Sequence, residues 1–454
     1  MARRARFWPA LARRVPVLAH KNFRLLLADR LLAPMAFSFS LVGVSFAVLD
    51  STRSAAHPDG STADLSYVLA AQIAPALIVL VVGGVIADRI APQRVIVAAN
   101  MMIAVGEGTF GIWFLAGHLS VPAMIMLEAV TGSGMALFYP ASQALLPRLV
   151  PAGQMTQASA ISRLAMNAAT MAGAALAGEC VALFGPGWAL AVCGVGMLGT
   201  VPLMLAIRVP PLDAASSGEH APSFVREVRE GWSEFRSHTW LWVTVLQFTV
   251  VLAAWTGGFQ VLGPVVAKAH LGGAQAWGLI AAAEAVGLIA GGIVSLRWTP
   301  GRPVLFVALM GAAISLSPLS LAMLLPLPAI LVTSFGLGVA LEMMMVVWTV
   351  TMAARIPAAK LARVSAYDAM GSMMGMPAGA LAAGPIAGIV GISAAQYGAA
   401  AFILLASAFA LIPRDVRTVR SAGAGRAGET EQVVRGAAGP GELPEPELVG
   451  SARR

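Results

Sequence analysis

The feature that most constrains this chain is a series of twelve long apolar stretches between residues 25 and 412. A helix that crosses a bilayer needs about 20 mostly apolar residues, and each stretch is long enough. The stretches are roughly 25–49, 65–87, 95–116, 121–147, 158–184, 189–207, 240–267, 274–296, 303–325, 329–354, 364–390 and 393–412. They lack the alternating pattern of strands in a membrane β-barrel. We therefore predict an all-α, polytopic membrane protein with 12 transmembrane helices.

Composition supports this fold class and excludes several functions. Hydrophobic residues make up 58% of the chain and charged residues 11%, whereas a soluble chain carries about 25% charged residues. Cys180 and Cys193 both lie in apolar runs and offer neither a disulfide framework nor a zinc cluster. No histidine pair stands at i, i+4, and no nucleotide-binding P-loop motif occurs. We expect no cofactor and no metal site.

The positions of Lys and Arg predict the topology. Of the 30 basic residues, seven precede the first span, twelve lie in even-numbered loops and seven follow the last span, whereas the odd-numbered loops hold only Arg53 and Lys268. Cytoplasmic loops carry such an excess, so both termini are expected to be cytoplasmic. The net charge of +8 then reflects topology and anionic membrane lipids, with no nucleic acid as a partner. We expect a multi-pass protein of the bacterial plasma (inner) membrane.

Five segments follow from these patterns. They are a basic cytoplasmic N-terminal tail (1–22), an N-terminal six-helix bundle (23–207), a cytoplasmic linker (208–239), a C-terminal six-helix bundle (240–412) and a disordered cytoplasmic tail (413–454). In the linker, Phe224, Val228, Trp232 and Phe235 share one helical face opposite charged residues, which predicts an amphipathic helix at the membrane interface. The last segment is rich in Gly, Ala, Arg, Glu and Pro, as disordered tails are.

The two bundles carry an internal duplication. Glycines 83–84 and Arg94, after span 2, recur as glycines 291–292 and Arg302, after span 8, with an offset of 208. A second set, offset by 206, pairs Ala172-Gly173-Ala174 and Gly178 on span 5 with Ala378-Gly379-Ala380 and Gly384 on span 11. Two parallel six-helix repeats with a site near the midplane between them are a transporter architecture.

Two motifs carry a family resemblance. Gly84-x-x-x-Asp88-Arg89, after span 2, resembles the signature loop of the major facilitator superfamily. Phe138-Tyr139-Pro140-Ala141 followed by Leu146-Pro147-Arg148, on span 4, resembles the drug-exporter branch that includes macrolide and siderophore exporters. The resemblance covers about residues 20–412. It implies alternating access by rocking of two bundles, usually driven by the proton gradient, with protons and a small-molecule substrate as partners. We expect a monomer.

The resemblance also implies a conformational latch formed by Gly84, Asp88, Arg89 and Arg94. In that role the Asp88 carboxylate faces the N-terminus of a neighbouring helix, where the helix dipole favours negative charge. The alternative is a turn acid beside arginines that only set the topology. The antiporter motif of span 5 is reduced to Gly173 and Gly178, which leaves the direction of transport open.

Carboxylates inside spans are the most informative polar residues. Glu107, Glu284 and Glu342 lie near the centres of spans 3, 8 and 10, where an ionised side chain costs about 2.5–3.5 kcal/mol on insertion scales. A carboxyl in such a place can hold or release a proton as its exposure changes, which makes all three proton-coupling candidates. The alternative is a protonated glutamate that hydrogen-bonds to a neighbouring helix as structural glue.

Further polar and aromatic residues are candidates for the substrate cavity. Arg163 and Asn167 share a face of span 5, and Tyr139 and Trp348 can supply stacking walls. Arg163 has three interpretations: it neutralises a buried glutamate, meets an anionic substrate, or anchors the cytoplasmic end of its helix.

Residues nearer the span ends are candidates for gates or interfaces. Asp29, Arg30 and Asp368, near the starts of spans 1 and 11, are expected at a gate or at the membrane interface. Glu128 and Glu179 lie in the outer thirds of spans 4 and 5, where they are expected to line an outer vestibule or reach the headgroups.

These observations predict a secondary active transporter rather than an enzyme. The leading hypothesis is a proton-coupled exporter, an antiporter, of an amphipathic or drug-like small molecule. A proton-coupled nutrient importer on the same scaffold is the alternative within transport. A membrane enzyme or lipid scramblase is a different class, but the sequence shows no nucleophile–base pair at membrane depth.

Overall fold

The computed structural model describes residues 16–55, 58–75, 91–208 and 224–420, and every regular element in these ranges is helical. After a short 3₁₀ helix (Pro16–Ala19), the first half contains α1 (Lys21–Ser51), α2 (Thr62–Ile73), α3 (Pro92–Leu115), α4 (Val121–Leu149), α5 (Met155–Phe184) and α6 (Pro186–Ala206). The second half contains α7 (Phe224–Ser237), α8 (Thr239–Leu271), α9 (Ala274–Ser295), α10 (Pro303–Ala322), α11 (Leu327–Arg355), α12 (Ala358–Met373), α13 (Gly375–Val390), α14 (Ile392–Ala410) and α15 (Arg414–Thr418). We call the end of the molecule that bears Lys21 proximal and the opposite end distal.

The described residues contain eleven helical spans that are long and apolar enough to cross a membrane. Helices α12 and α13 together form one of them, Arg363–Val390. The predicted second span, 65–87, is described only as far as residue 75, so the total of 12 stays a prediction. The predicted all-α, polytopic membrane fold is confirmed.

The outward surfaces of the spans are apolar. Large hydrophobic side chains stand exposed along them, such as Val195 (70% exposed), Val332 (71%) and Ile389 (84%). Soluble monomers rarely expose contiguous apolar patches of this extent. This surface is the part of the molecule that the acyl chains of a bilayer would cover.

Glycines set how closely the helices of each half approach one another. In the first half, a Cβ at Gly194 on α6 would lie 2.8 Å from the Cα of Gly108 on α3. In the second half, Gly287 and Gly291 on α9 pack against the backbone of α11, next to Gly338. Membrane helices lack a hydrophobic driving force between them and associate through such small residues, which let their backbones touch.

The duplication seen in the sequence reappears in these contacts. Gly173 on α5 packs against the backbone of α1, and its counterpart Gly379 on α13 packs against the backbone of α8. Helices α1 and α8 are the first spans of their respective halves, so equivalent glycines meet equivalent helices. Gly178 and its counterpart Gly384 instead face the opposite half of the molecule.

The two halves meet at the distal end. Helix α5 contacts α9 where Gly178 faces Gly278, and α13 contacts α2 where Gly384 faces Thr62. An ion pair lies at the same end, with Lys268 Nζ 2.7 Å from Asp50 Oδ1. Because these contacts join the halves directly, the distal end of the molecule is closed in this conformation.

The amphipathic linker segment forms α7, and residues 209–223 of the linker lie outside the described residues. Trp232 and Phe235 of α7 surround Tyr367 of α12, with ring centroids 5.6–5.9 Å apart. Lys360 Nζ donates to Glu234 Oε2 at 2.8 Å, and this hydrogen bond lowers the pKa of the Glu234 carboxyl. Helix α7 therefore docks on the proximal end of α12.

Buried residues extend beyond the predicted bundles at both ends of the described chain. Val17, assigned to the basic tail, is fully buried, and residues 1–15 lie outside the described residues. The prediction of disorder from residue 413 is wrong at its start, because α15 (Arg414–Thr418) is helical and buries Val416 completely. Two valines among charged residues at 414–420 form no amphipathic pattern, so this contact could not be predicted from the sequence. Residues 421–454 lie outside the described residues.

Candidate substrate and coupling site

An ion pair links the two halves near the middle of the molecule. Nη1 of Arg163, on α5, lies 2.6 Å from Oε1 of Glu342, at the midpoint of α11. The Arg163 side chain is 62% exposed and the Glu342 side chain 9% exposed. Of the three interpretations of Arg163, this geometry corresponds to the neutralisation of a buried glutamate.

The packing of α9 on α11 makes room for Glu342. A Cβ at Gly291 would lie 3.2 Å from the Cβ of Glu342, and a Cβ at Gly292 would lie 3.8 Å from its Oε1. A side chain at position 291 would press on the backbone of α11 and on Glu342, whereas a Cβ at position 292 would be in ordinary van der Waals contact with the carboxylate. The glycine pair that repeats in the sequence thus borders the carboxylate that bridges the halves.

Glu284 lies on the same helix as these glycines, two turns nearer the distal end. Its side chain is partly exposed, and no hydrogen-bond donor or cation of the described residues pairs with its carboxylate. Its backbone carbonyl is in close contact with Gly338 of α11. Among the described residues, the Glu284 carboxylate therefore has fewer polar partners than that of Glu342, and it lies about two helical turns nearer the distal end.

Asp368 and Trp348 join α12 to α11. Nε1 of Trp348 donates to Oδ2 of Asp368 at 3.1 Å. The Trp348 ring is 3% exposed and packs edge-on against Trp240 and Phe248. In this conformation Trp348 belongs to the core of the second half and does not present the exposed stacking wall predicted from the sequence.

Asn167 and Arg94 are the other candidate cavity and latch residues whose side chains the structure describes. Asn167 is partly exposed one turn along α5 from Arg163, on the same face. The side chain of Tyr139 lies outside the described part of the structure. Of the latch residues, Gly84, Asp88 and Arg89 also lie outside it, and Arg94 is exposed near the start of α3.

Asp29 and Arg30 lie in the interior of the first half. Asp29 is fully buried and Arg30 is 4% exposed. Arg30 donates to the carbonyl of Ser142 and to the sulfur of Met166, each at 2.9 Å. The alternative that placed this pair at the membrane interface is wrong, because the arginine turns inward to satisfy groups on α4 and α5.

Glu107 lies away from the other two proton-coupling candidates, inside the first half. It is fully buried, and its Oε1 accepts a hydrogen bond from Ser40 Oγ at 2.6 Å. Glu128 is also fully buried, and its Oε2 accepts from Gln72 Nε2 at 2.6 Å. The prediction that Glu128 lines a vestibule or reaches the headgroups is wrong. The position of Glu128 along its helix predicts its depth in the membrane, but it does not predict that this face of α4 turns inward toward Glu107.

The chain matches the model of a known protein family. The family model described as Major Facilitator Superfamily matches residues 31–325. The chain belongs to the major facilitator superfamily. The resemblance drawn from the residues of spans 2 and 4 is thereby confirmed.

The curated relatives are macrolide efflux proteins. Macrolide efflux protein A of Enterococcus faecalis is 28% identical over 174 residues, which cover 37% of this chain and 52% of that protein. Macrolide efflux protein A of Streptococcus pyogenes is 27% identical over 174 residues, which cover 37% of this chain and 42% of that protein. The chain thus spans about half the length of the curated relatives it matches.

Solved structures of transporters share the fold at low sequence identity. A D-xylose–proton symporter matches with a TM-score of 0.66 and 14% identity, over 86% of this chain and 98% of the other. A nucleoside transporter matches with a TM-score of 0.68 and 11% identity, over 88% of this chain and all of the other. At such identity the likeness supports the architecture alone.

Proposed function

We propose that this transporter is a proton-coupled exporter of an amphipathic or drug-like small molecule. It resides in the bacterial plasma membrane with both termini in the cytoplasm, works by alternating access and acts as a monomer. The macrolide efflux relatives support export, and the bias of Lys and Arg toward the proximal loops supports the orientation. The observation that carries the mechanism is the ion pair between Arg163 and Glu342.

This pair couples charge to the relative position of the halves. With Glu342 ionised, the attraction of Arg163 holds α5 and α11 together. A proton on Glu342 removes that attraction and leaves a neutral carboxyl, which is cheaper to bury than a carboxylate. Protonation therefore favours a different arrangement of the halves, and the return of the carboxylate favours this one. A substrate with a positive or polar group would compete with Arg163 for the same carboxylate.

The conformation supports uptake of substrate from the cytoplasmic side. The distal end is closed by the contact of Gly178 with Gly278 and by the pair of Asp50 with Lys268. The 62% exposure of the Arg163 side chain supports an open space between the halves at its level. Under the predicted topology the closed end faces outward, so the open space faces the cytoplasm, as an exporter awaiting its substrate requires.

Other candidates take supporting roles in this proposal. Glu284 has no hydrogen-bond or ion-pair partner among the described residues and lies nearer the distal end, which suits a second proton-binding position along α9. Asn167 and Asp368 supply polar groups for an amphipathic substrate. The loop with Asp88 acts as a latch on the cytoplasmic side, in keeping with the family resemblance.

Flux measurements in proteoliposomes test the proposal. Vesicles with an acidic lumen should accumulate radiolabelled erythromycin and the permanently charged dye ethidium when protons leave in exchange. Protein-free vesicles control for passive trapping of weak bases, and a protonophore should abolish the accumulation. Accumulation only when the bath is the acidic side would favour the importer. Flux of both compounds that never responds to pH would overturn proton coupling.

A further inference from the structure

The segment that follows α14 folds back onto the proximal end of the second half. Its helix, α15, packs against α8 and α10, and the Val416 side chain is fully buried there. Nη2 of Arg417 donates to the carbonyl oxygen of Ile412 at 3.3 Å. Nη2 of Arg355, at the end of α11, donates to the carbonyl oxygen of Arg420. These contacts hold the segment and two guanidinium groups in defined positions.

The surface around this segment is strongly basic. Five exposed arginines lie on the segment or at the proximal ends of α10 and α11: Arg302, Arg355, Arg414, Arg417 and Arg420. We call Arg355, Arg417 and Arg420 the arginine cluster, because the bond from Arg355 to residue 420 brings them to one site. The described part of the segment contributes a single carboxylate, the exposed Asp415, and Glu234 of α7 is already paired with Lys360. Such an excess of positive charge favours an anionic partner.

Exposed apolar side chains border the arginine cluster. Phe409 (67% exposed) and Ile412 (64%), at the proximal end of α14, directly precede the segment, and Leu296 (86%) lies between α9 and α10. Trp298 follows Leu296, and its ring packs edge-on against Phe306 of α10 with centroids 5.1 Å apart. Tryptophan is enriched where the hydrocarbon of a bilayer meets the headgroups. The arginine cluster, on the segment that packs against α10, therefore lies at the level of the lipid phosphates.

The chemistry of the arginine cluster selects a phosphate with acyl chains attached. A guanidinium presents five N–H donors in a planar fork that matches phosphate oxygens, and the bonds of Arg355 and Arg417 to backbone carbonyls each use one of them. Donors therefore remain on both side chains. The exposed apolar surface beside them suits the acyl chains of a phospholipid, which a free phosphate lacks. A zwitterionic headgroup carries a cation beside its phosphate, which the arginines would repel, so an anionic headgroup fits better.

We propose that the arginine cluster binds the headgroup phosphate of one anionic phospholipid, whose acyl chains lie along the exposed proximal end of α14. Under the predicted topology this lipid belongs to the cytoplasmic leaflet, where anionic lipids are concentrated. The lipid stabilises the packing of α15, because it reduces the repulsion among arginines that are held close together. All of these residues belong to the second half, so the site is separate from the ion pair between the halves.

Native mass spectrometry of the purified full-length protein in detergent tests this site. We expect one dioleoylphosphatidylglycerol to bind more tightly than dioleoylphosphatidylcholine, and inorganic phosphate should not displace it. Arg355→Gln/Arg417→Gln should weaken phosphatidylglycerol binding about tenfold or more, because it removes charge-assisted hydrogen bonds, and should leave phosphatidylcholine binding unchanged. Arg208→Gln/Arg236→Gln, which removes two exposed arginines of the proximal end outside the cluster, is the matched control and should bind both lipids like the parent.

Two further measurements check the position of the lipid and the folding of the variant. A phosphatidylglycerol with a photoreactive diazirine on an acyl chain should label the peptide that contains Phe409 and Ile412, and Arg355→Gln/Arg417→Gln should reduce that labelling. In phosphatidylcholine the double variant should unfold cooperatively, which shows that it is folded. Added phosphatidylglycerol should raise the unfolding midpoint of the parent and leave that of the double variant unchanged.

Several results would overturn the proposal. They are equal affinity of the parent for the two lipids, parental phosphatidylglycerol binding by Arg355→Gln/Arg417→Gln, and displacement of the lipid by inorganic phosphate. Binding of phosphatidylglycerol only after Glu442→Gln/Glu445→Gln/Glu447→Gln would show that this acidic stretch of the chain occupies the arginine cluster instead, and would also overturn it. Because none of these measurements needs flux, their outcome is independent of proton-coupled export.

Discussion

Breaking the ion pair between Arg163 and Glu342 should change the balance between conformations by a measurable amount. The two charges are about 4 Å apart between centres, which corresponds to about 4 kcal/mol at an effective dielectric constant of 20 and about 1 kcal/mol in water. Arg163 is 62% exposed, so the lower value applies. Arg163→Gln should therefore reduce the population of this conformation about fivefold relative to the alternative.

Spin labels on the two halves can measure that change. Thr156 on α5 and Ala354 on α11 are both exposed near the proximal ends of their helices. Labels at Thr156→Cys and Ala354→Cys, in a background without the native cysteines, report the distance between the halves by double electron–electron resonance. Arg163→Gln should redistribute the distances, whereas Arg414→Gln, which removes an exposed arginine of α15, should not.

A double-mutant cycle separates the pair from effects of either residue alone. Arg163→Gln and Glu342→Gln should shift the distribution in the same direction, and the double variant should add little to either change. Strictly additive shifts, or a distribution that Arg163→Gln leaves unaltered, would refute the argument that this contact holds the halves in the described arrangement.

Three further predictions follow from the topology, the contact between the halves and the linker. Cysteine at Asp59 should react with an impermeant thiol reagent from outside and cysteine at Ser216 should not; labelling of both from one side would disprove the N-in topology. Gly278→Val should separate α5 from α9 and reduce transport in proteoliposomes. Gly388→Val, where nothing lies within 4 Å of the added Cβ, should transport normally, and equal rates for the two variants would show that the contact is not required. Because the pKa of Glu234 is lowered, its contribution to the docking of α7 is complete above pH 4.5 and is lost as the pH falls through the lowered value. The tryptophan fluorescence of the docked helix should change in that pH range, and Glu234→Gln should remove the change.

The sequence predicted the fold well because the constraints on it are local. Each span is a continuous apolar run, and the bilayer thickness sets its length. The duplicated glycines were visible for a related reason: Gly173 and Gly379 recur at one offset because each lets an equivalent helix approach. Burial at the termini, such as that of Val416, depends on a distant surface and leaves no local pattern.

The candidate site was only partly predictable, because its contacts join residues far apart in the chain. Arg163 and Glu342 are 179 residues apart, and depth alone left three interpretations of the arginine open. Glu107 and Glu128 were assigned to different environments, since span position does not show which faces of α3 and α4 meet. Trp348 was a candidate for a stacking wall, but the sequence does not show which way its ring points, and Trp240 and Phe248 enclose it.

The most direct test of proton-coupled export compares uphill transport with exchange in the same vesicles. Gln retains the shape and hydrogen-bonding capacity of Glu342 but cannot titrate, so Glu342→Gln should abolish accumulation driven by a pH gradient and spare downhill exchange of labelled for unlabelled substrate. Glu284→Gln should show the same loss if the second carboxyl also carries the proton. Equilibrium substrate binding without a gradient, measured on the same preparations, identifies any variant whose defect is in affinity. Uphill transport at the parental rate by the Glu342→Gln/Glu284→Gln double variant would contradict the account.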